Sequence, residues 1–218
     1  MKIINSEKGY DYFAKTYHKY YDHLDSFDWD ICEKILFDYI DKEAIKDKKI
    51  IKIADIGCGD GRVLKRIAKY ILKNCYSKFE ILGIDISEKM LEVALKKMQK
   101  FKDQIKIELK KIDIEKLDNE KEKIDERFDI IYSFFLLVHI EDIEAFFINI
   151  KNILNKGAIF IFNNIEQKTG FKLPFFKEET YIEFYNHSDN KILNLANKYF
   201  KNVQKIKTEF SNIFICEN

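Results

Sequence analysis

The chain has 218 residues, 46% hydrophobic and 34% charged, and its 38 basic and 37 acidic residues leave a net charge of +1. That apolar fraction with almost no net charge excludes intrinsic disorder, and the lack of a basic excess gives no electrostatic footprint for nucleic acid or anionic lipid. The longest nearly uncharged run, Ile130 to Ile140, falls far short of the about 20 residues a membrane span requires, and the start MKIINSEKGYDYF has no apolar core for a signal peptide, so a cytoplasmic protein is expected.

In chain order, residues 1–46 read as helical, with Phe13, Tyr17, Tyr20, Tyr21 and Leu24 and then Ile31, Ile35, Leu36, Tyr39 and Ile40 recurring at helical spacing. Ile50 to Ile56 is an apolar, β-branched run and predicts a strand, broken by Gly57 to Gly61. Val63, Leu64, Ile67, Ala68, Ile71 and Leu72 stripe the helix that follows. Phe79 to Ile84 is the second strand. Ser87 is a candidate N-cap for a helix striped by Met90, Leu91, Ala94, Leu95 and Met98. Ile105 to Leu109 and Phe128 to Ser133 are the third and fourth strands, with a charged connection over 115–127. A helix beginning around Glu141, striped by Ile143, Phe146, Phe147, Ile150, Ile153 and Leu154, leads to a fifth strand, Ala158 to Phe162. Leu193, Ala196 and Phe200 mark a last helix, and Val203 to Phe210 and Ile213 to Cys216 are two strands joined by a short Ser211-Asn212 turn.

Repeated alternation of strand and helix implies a parallel sheet covered on both faces. The final tight turn forces antiparallel pairing, because parallel pairing needs a long crossover. The expectation is an α/β, single-domain, doubly wound seven-stranded sheet, mostly parallel, with an antiparallel strand near the C-terminus. Residues 1–46 would be N-terminal helices and 47–218 the α/β core. Ligands in such sheets bind at the carboxyl ends of the strands.

The glycine loop Asp55-Ile56-Gly57-Cys58-Gly59-Asp60-Gly61 lies between a strand and a helix, where closely spaced glycines let backbone approach a ligand. A dinucleotide fingerprint would require a glycine where Arg62 stands, and the acids Asp55 and Asp60 suit a ligand with a cationic amino group better than a pyrophosphate. Asp85, ending the second strand, is placed to accept both hydroxyls of a ribose. Asp113, between Ile112 and Ile114 after the third strand, is placed to accept from an adenine amino group, or is an ordinary turn acid. The four cysteines form no C-x-x-C pair, so neither a metal site nor a disulfide framework is expected; Cys32, Cys75 and Cys216 read as small core residues.

These residues together resemble the class I S-adenosylmethionine-dependent methyltransferases. The resemblance runs from Ala54-Asp55-Ile56-Gly57-Cys58-Gly59-Asp60-Gly61 through Gly83-Ile84-Asp85-Ile86-Ser87, Asp113 and Phe128 to Ser133. It continues over Leu136-Leu137-Val138-His139-Ile140 and Leu154-Asn155-Lys156-Gly157-Ala158. It implies S-adenosylmethionine as cofactor and methyl transfer to a small molecule. It also implies roles. Gly57, Cys58 and Gly59 would lie along the methionine part, and Asp55 would organise the loop. Asp85 would bind the ribose and Ile86 the adenine face. Asp113 and the Ile114 backbone would meet the adenine edge, and Ser133 and Phe134 would sit near the methionine carbons. Tyr12 to Tyr17 resembles a cofactor-lid segment, with Tyr17 near the carboxylate or sulfonium, or is simple helix packing. His139 has two readings: a general base for an acceptor that must lose a proton, or a residue that packs or caps the next helix.

Two other readings compete. One is a cofactor-binding partner without catalysis, its acceptor pocket plugged by Phe134 and Phe135. The other is an NAD-dependent oxidoreductase, disfavoured by Arg62 and the loop acids. The aromatic stretch holding Phe171, Phe175, Phe176, Tyr181, Phe184 and Tyr185 would wall a small-molecule pocket, cover a sheet edge or form a homodimer patch.

Overall fold

The computed structural model describes residues 2–21, 29–46, 50–75, 77–117, 123–165, 172–173 and 179–218. Leu24, Phe171, Phe175 and Phe176, singled out above, lie outside them.

The elements in chain order begin with β1 (Lys2–Ile4), α1 (Ser6–Phe13), α2 (Tyr17–Tyr21) and α3 (Trp29–Ala44). Next come β2 (Ile51–Ile56), α4 (Arg62–Asn74), β3 (Phe79–Asp85), α5 (Glu88–Met98), β4 (Lys106–Lys111) and β5 (Phe128–Ser133). The chain ends with α6 (Ile143–Ile153), β6 (Leu154–Asn164), β7 (Lys172–Leu173), β8 (Thr180–Ile182), α7 (Asp189–Tyr199), β9 (Lys201–Lys207) and β10 (Asn212–Glu217). The main sheet has seven strands in the order β4-β3-β2-β5-β6-β10-β9. Strands β2 to β6 pair parallel, and β10 is antiparallel to both β6 and β9. The chain winds outward from β2 to β4 and then returns to place β5 on the other side of β2. The β2–β5 boundary is therefore the switch point where such sheets bind ligands.

Alternation along the strands feeds two cores. On β2, Ile51 and Ile53 join the layer formed with Leu36 and Ile40 of α3 and Leu64, Ile67 and Ile71 of α4. Ala54 and Ile56 join the opposite layer, with Phe146, Phe147 and Ile150 of α6 and Ile192 and Ala196 of α7. Ser87 caps α5, accepting from the Met90 amide at 3.1 Å. The cap of α6 is Asp142, which accepts from the Glu144 and Ala145 amides, so that helix starts at Ile143 rather than Glu141. Cys75 is half-buried at the end of α4 rather than in the core.

The amino-terminal region departs from an all-helical reading. Lys2 to Ile4 form a strand that pairs parallel with Thr180 to Ile182, in a second sheet of order β1-β8-β7. A three-residue strand carries no periodicity to read, and its partner lies near the other end of the chain. The small sheet seats α1 on the main domain. At Gly9 the contact is so close that a Cβ would lie 2.5 Å from Ile182 Cγ1, which accounts for glycine in mid-helix.

Candidate active site

The loop after β2 is built by its own amides. Gly57 and Cys58 both donate to the Ile84 carbonyl, at 2.9 and 2.8 Å, and Gly61 donates to the Cys58 carbonyl at 3.0 Å. The Gly59 amide donates to Asp85 Oδ2 at 2.8 Å. Gly57 has φ +78°, and a Cβ there would stand 2.9 Å from Leu136 Cδ1, so both conformation and space require glycine. These four amides are spent inside the fold. None of them is left to cradle a phosphate, which distinguishes the loop from an anion-binding nest.

This corrects the physical reason inferred from sequence. Asp60 is buried but neutralised by Lys97 Nζ, 2.5 Å away, and its other oxygen accepts from the Arg62 amide. Asp55 is also buried, and burial pushes its pKa well above the ordinary carboxylate value. The buried Tyr132 hydroxyl faces its carboxyl, and their hydrogen bond works against that rise. The loop acids therefore repel a pyrophosphate less than expected; the consumed amides are the stronger argument.

Asp85, at the end of β3, is half-buried. Its Oδ1 accepts from the Ser87 amide at 2.8 Å, opposite the Gly59 bond. Burial lifts its pKa to about 6, against the lowering effect of those two amides. Asp113 caps the short turn Ile114–Lys116, accepting from the Glu115 amide at 3.1 Å, and pairs with Lys116 at 2.5 Å. It is thus a turn acid that also faces the cleft.

At the carboxyl end of β5 the chain turns sharply. Phe135 has φ +62°, a strained conformation for a large side chain. Its amide donates to Asn163 Oδ1 on β6 at 2.7 Å. Phe134 packs into the wall, edge-on to Trp29 at 5.8 Å and 5.5 Å from Tyr132. Ser133 is buried, and its hydroxyl donates to the Ile56 carbonyl at 3.0 Å.

These elements enclose a cleft of about 960 Å³, its open mouth included. Gly57, Cys58, Gly59, Asp85, Ile86, Asp113, Ile114, Phe134, Tyr17 and His139 all line it. Asp55 and Ser133 do not: they sit beneath its floor, and Ser133 serves the β2–β5 join rather than the cleft. The Cys58 thiol is buried, which pushes its pKa well up and leaves it unreactive. Phe134 and Phe135 are walls of an open cleft rather than plugs. Tyr181, Phe184 and Tyr185 are not among its described lining residues. No group of three or more His, Cys, Asp or Glu among the described residues could hold a metal ion.

Helix α1 covers one side. Asp11 accepts from Ser87 Oγ at 2.7 Å and from the Lys89 amide at 3.1 Å, tying α1 to the start of α5. The Ser6 amide donates to Glu183 Oε1 at 2.8 Å, and Glu7 pairs with Lys111. Tyr10 hydroxyl lies 2.7 Å from His139 Nε2, and His139 Nδ1 lies 3.1 Å from the Glu183 carbonyl. Burial pulls the imidazole pKa down to about 4. His139 is therefore neutral at pH 7 with both ring nitrogens engaged, and it joins α1 to the turn after β5. That differs from a base facing an acceptor, and also from a cap on α6.

Ser6, Tyr10, Met90 and Leu136 also line the cleft and were not singled out from sequence. Tyr10 was within reach: it lies three residues before Phe13, extending the Phe13–Tyr17 stripe by one step.

A family profile described as "Methyltransferase domain" matches residues 54–160, which run from the second half of β2 through most of β6 and hold every strand end at the cleft. Residues 54–160 thus carry a methyltransferase domain, which supports a class I S-adenosylmethionine-dependent methyltransferase. It is 32% identical over 129 residues to a ubiquinone biosynthesis O-methyltransferase of Pelagibacter ubique (strain HTCC1062), covering 59% of this chain and 48% of that protein. The chain spans about half the length of the first curated relatives it matches. Among solved structures it is similar to a DhpI complex with S-adenosylhomocysteine, at a TM-score of 0.65 and 13% identity, covering 96% of this chain and 93% of that one. An S-adenosylmethionine-dependent methyltransferase from Clostridium acetobutylicum ATCC 824 superposes at 0.61 with 17% identity, over 95% and 98% of the two chains. At such identities the likeness is one of fold.

The methyltransferase cofactor fits the residues present. Of the acids among the described lining residues, Asp60 pairs with Lys97 and Asp113 with Lys116, while Asp85 and Glu115 add to the acidic side; Arg62 is the one cation among those residues, and they hold no cluster of positive charge for a pyrophosphate. A sulfonium and an ammonium suit such a cleft. Ile86, Met90, Ile112 and Ile114 supply an apolar slot beside Asp85 and Asp113 for a planar base.

Proposed function

We propose that the protein transfers the methyl group of S-adenosylmethionine to a small-molecule acceptor. The observation that carries this reading is the division of one cleft. Acids and aliphatic side chains gather at the ends of β3 and β4, while aromatic side chains and His139 gather at the end of β5 and on α1. When bound, the cofactor supplies an electrophilic methyl group on a sulfonium, which is already a good leaving group. Asp85 would accept the ribose hydroxyls, Ile86 would pack on the adenine, and Asp113 and the Ile114 backbone would meet its edge. Gly57, Cys58 and Gly59 would lie along the methionine chain, and Tyr17 and Phe134 would stand by the sulfonium. The remaining work of the chain is to align the acceptor and exclude water, and alignment alone can supply about 7–11 kcal/mol of a barrier. The O-methyltransferase relative supports oxygen as the accepting atom.

The test is ligand selection. At about 100 times its Kd, S-adenosylhomocysteine stabilises the folded state by about 2.7 kcal/mol, which for a domain of this size raises Tm by about 5–10 °C. An equal shift with NAD and none with the sulfur ligand overturns the reading. Methyl transfer is then sought with tritiated S-adenosylmethionine and a panel of hydroxylated and amino metabolites.

A further inference from the structure

We propose that Asn163 is a positioning residue for methyl transfer. Its side-chain oxygen holds the turn after β5 in a left-handed conformation, and that turn fixes the wall of Phe134, Phe135 and Leu136 along which the methyl group and its acceptor are aligned. The proposal rests on the methyltransferase reading for the identity of the reaction.

The strained residue needs a tether. Phe135 has φ +62°, where a bulky side chain is an outlier. Relaxing to the ordinary negative range would take a rotation of more than about 100°. A residue keeps such a conformation only where its surroundings impose it. Asn163 supplies one such constraint, since its Oδ1 accepts from the Phe135 amide at 2.7 Å. It stands near the carboxyl end of β6, 1% exposed and opposite Ile213 of β10. Ser133 of β5 is level with Phe162, so Asn163 is the next step of β6 past that pair. A backbone N–H can only donate, so the atom facing Phe135 must be the amide oxygen. Nδ2 is then turned elsewhere, buried and with no hydrogen-bond partner among the described residues. An unmet buried donor is costly, and an apolar side chain would avoid it. What the asparagine contributes against that cost is the oxygen on Phe135.

The turn matters because its residues face different parts of the molecule. Phe134 lies edge-on to Trp29 at 5.8 Å. Leu136 packs against the loop after β2, so closely that a Cβ on Gly57 would stand 2.9 Å from its Cδ1. Phe135 lies between them, and all three line the cleft. Rotation about the Phe135 N–Cα bond swings Phe134 against Leu136, so the wall cannot relax and keep both contacts. Asn163 is not among the described lining residues and acts through this turn. The loop after β2 is held separately, by the Ile84 carbonyl and by Asp85, so loss of the tether disturbs the wall and leaves the cofactor's seat in place.

The experiment compares the wild-type protein with Asn163→Ala and Asn163→Asp. The aspartate keeps an oxygen at the same place, and burial holds it as the neutral acid, whose carbonyl oxygen still accepts from the amide. Trp29 is the single tryptophan of the chain, its indole N–H buried without a partner among the described residues and its ring beside Phe134, so its emission reports on the wall with no ligand present. In protein saturated with S-adenosylmethionine carrying an isotopically labelled methyl group, the methyl resonance reports on the same wall from inside the cleft. Asn163→Ala should shift the Trp29 emission to the red and move the bound methyl resonance toward its free position, with the Kd for S-adenosylhomocysteine within about threefold of wild type. Asn163→Asp should keep the wild-type emission and resonance. Either signal unchanged in Asn163→Ala, an aspartate variant that behaves like the alanine one, or a loss of S-adenosylhomocysteine affinity beyond that range overturns the proposal. If Asn163→Ala does not melt as one transition, adding Phe135→Gly to the same chain should restore it, because glycine adopts positive φ unaided; no recovery also overturns the proposal. Failure of the wild-type protein to bind either sulfur ligand overturns the methyltransferase reading instead, while the emission of the unliganded proteins still tests the tether.

Discussion

Replacing Asp85 with alanine separates its role in the fold from its role toward the cofactor. Each of its oxygens already accepts one amide, from Gly59 and from Ser87, at 2.8 Å. A carboxylate oxygen has two lone pairs, so each can also take one ribose hydroxyl. Hydrogen bonds to a charged group contribute about 1.5–3 kcal/mol each. Losing two weakens binding by about 3–6 kcal/mol, roughly 10² to 10⁴ in Kd. The unliganded fold responds differently. A pKa raised to about 6 means that burial of the charge outweighs the two amide bonds, by about 3 kcal/mol at neutral pH. The folded pKa lies above the unfolded one, so this carboxyl favours folding at low pH and loses that contribution as pH rises through about 6. Asp85→Ala should therefore leave the unliganded Tm near wild type at pH 7.5, relief of the buried charge offsetting the two amides left without their acceptor, while calorimetric titration with S-adenosylhomocysteine shows the large loss of affinity. A Kd within threefold of wild type refutes the ribose assignment. A large fall in the unliganded Tm refutes the balance of charge burial against amide bonds.

Two further outcomes follow from the same geometry. Below about pH 6 the Asp85 carboxyl of the free protein is protonated, and ribose hydroxyls need it ionised, so the Kd for S-adenosylhomocysteine should rise about tenfold per pH unit from 6 to 5. The slope should vanish in Asp85→Ala, and a flat wild-type profile over that range contradicts the linkage. Gly57→Ala should lower stability by at least about 1–2 kcal/mol from its positive φ alone. The clash with Leu136 adds to this, so Tm should fall by about 2–8 °C; an unchanged melting curve would mean that the loop can relax away from both constraints.

The strands, the glycine loop and the acids at the ends of β3 and β4 were legible because their signals are local. Ile50 to Ile56 reads as a strand on its β-branched content, and Gly57 to Gly61 can only interrupt it. Asp85 stands at a strand end that its own neighbours define. The class of the main sheet, doubly wound and mostly parallel with an antiparallel strand near the C-terminus, also followed, since alternating elements with short connections leave few ways to wind. What local signals could not carry was pairing. That Asp60 meets Lys97, that Asp113 meets Lys116 while capping a turn, and that Ser133 bonds the Ile56 carbonyl are outcomes of packing. Each changes what its residue can do. An expectation built on unpaired acids reached the right class of ligand partly for the wrong reason.

The acceptor side shows the limit most clearly. Its hydrogen bonds join α1 to the turn after β5 and to the backbone after β8, so its parts come from the two ends and the middle of the chain. His139 viewed in sequence has an ordinary imidazole pKa and invites the role of base. Half-buried beside α1, with Ser6, Tyr10 and the Glu183 carbonyl around its ring, it is shifted down to about 4. Tyr10 stands beside it, a residue whose place in the helical stripe was visible but whose partner was not.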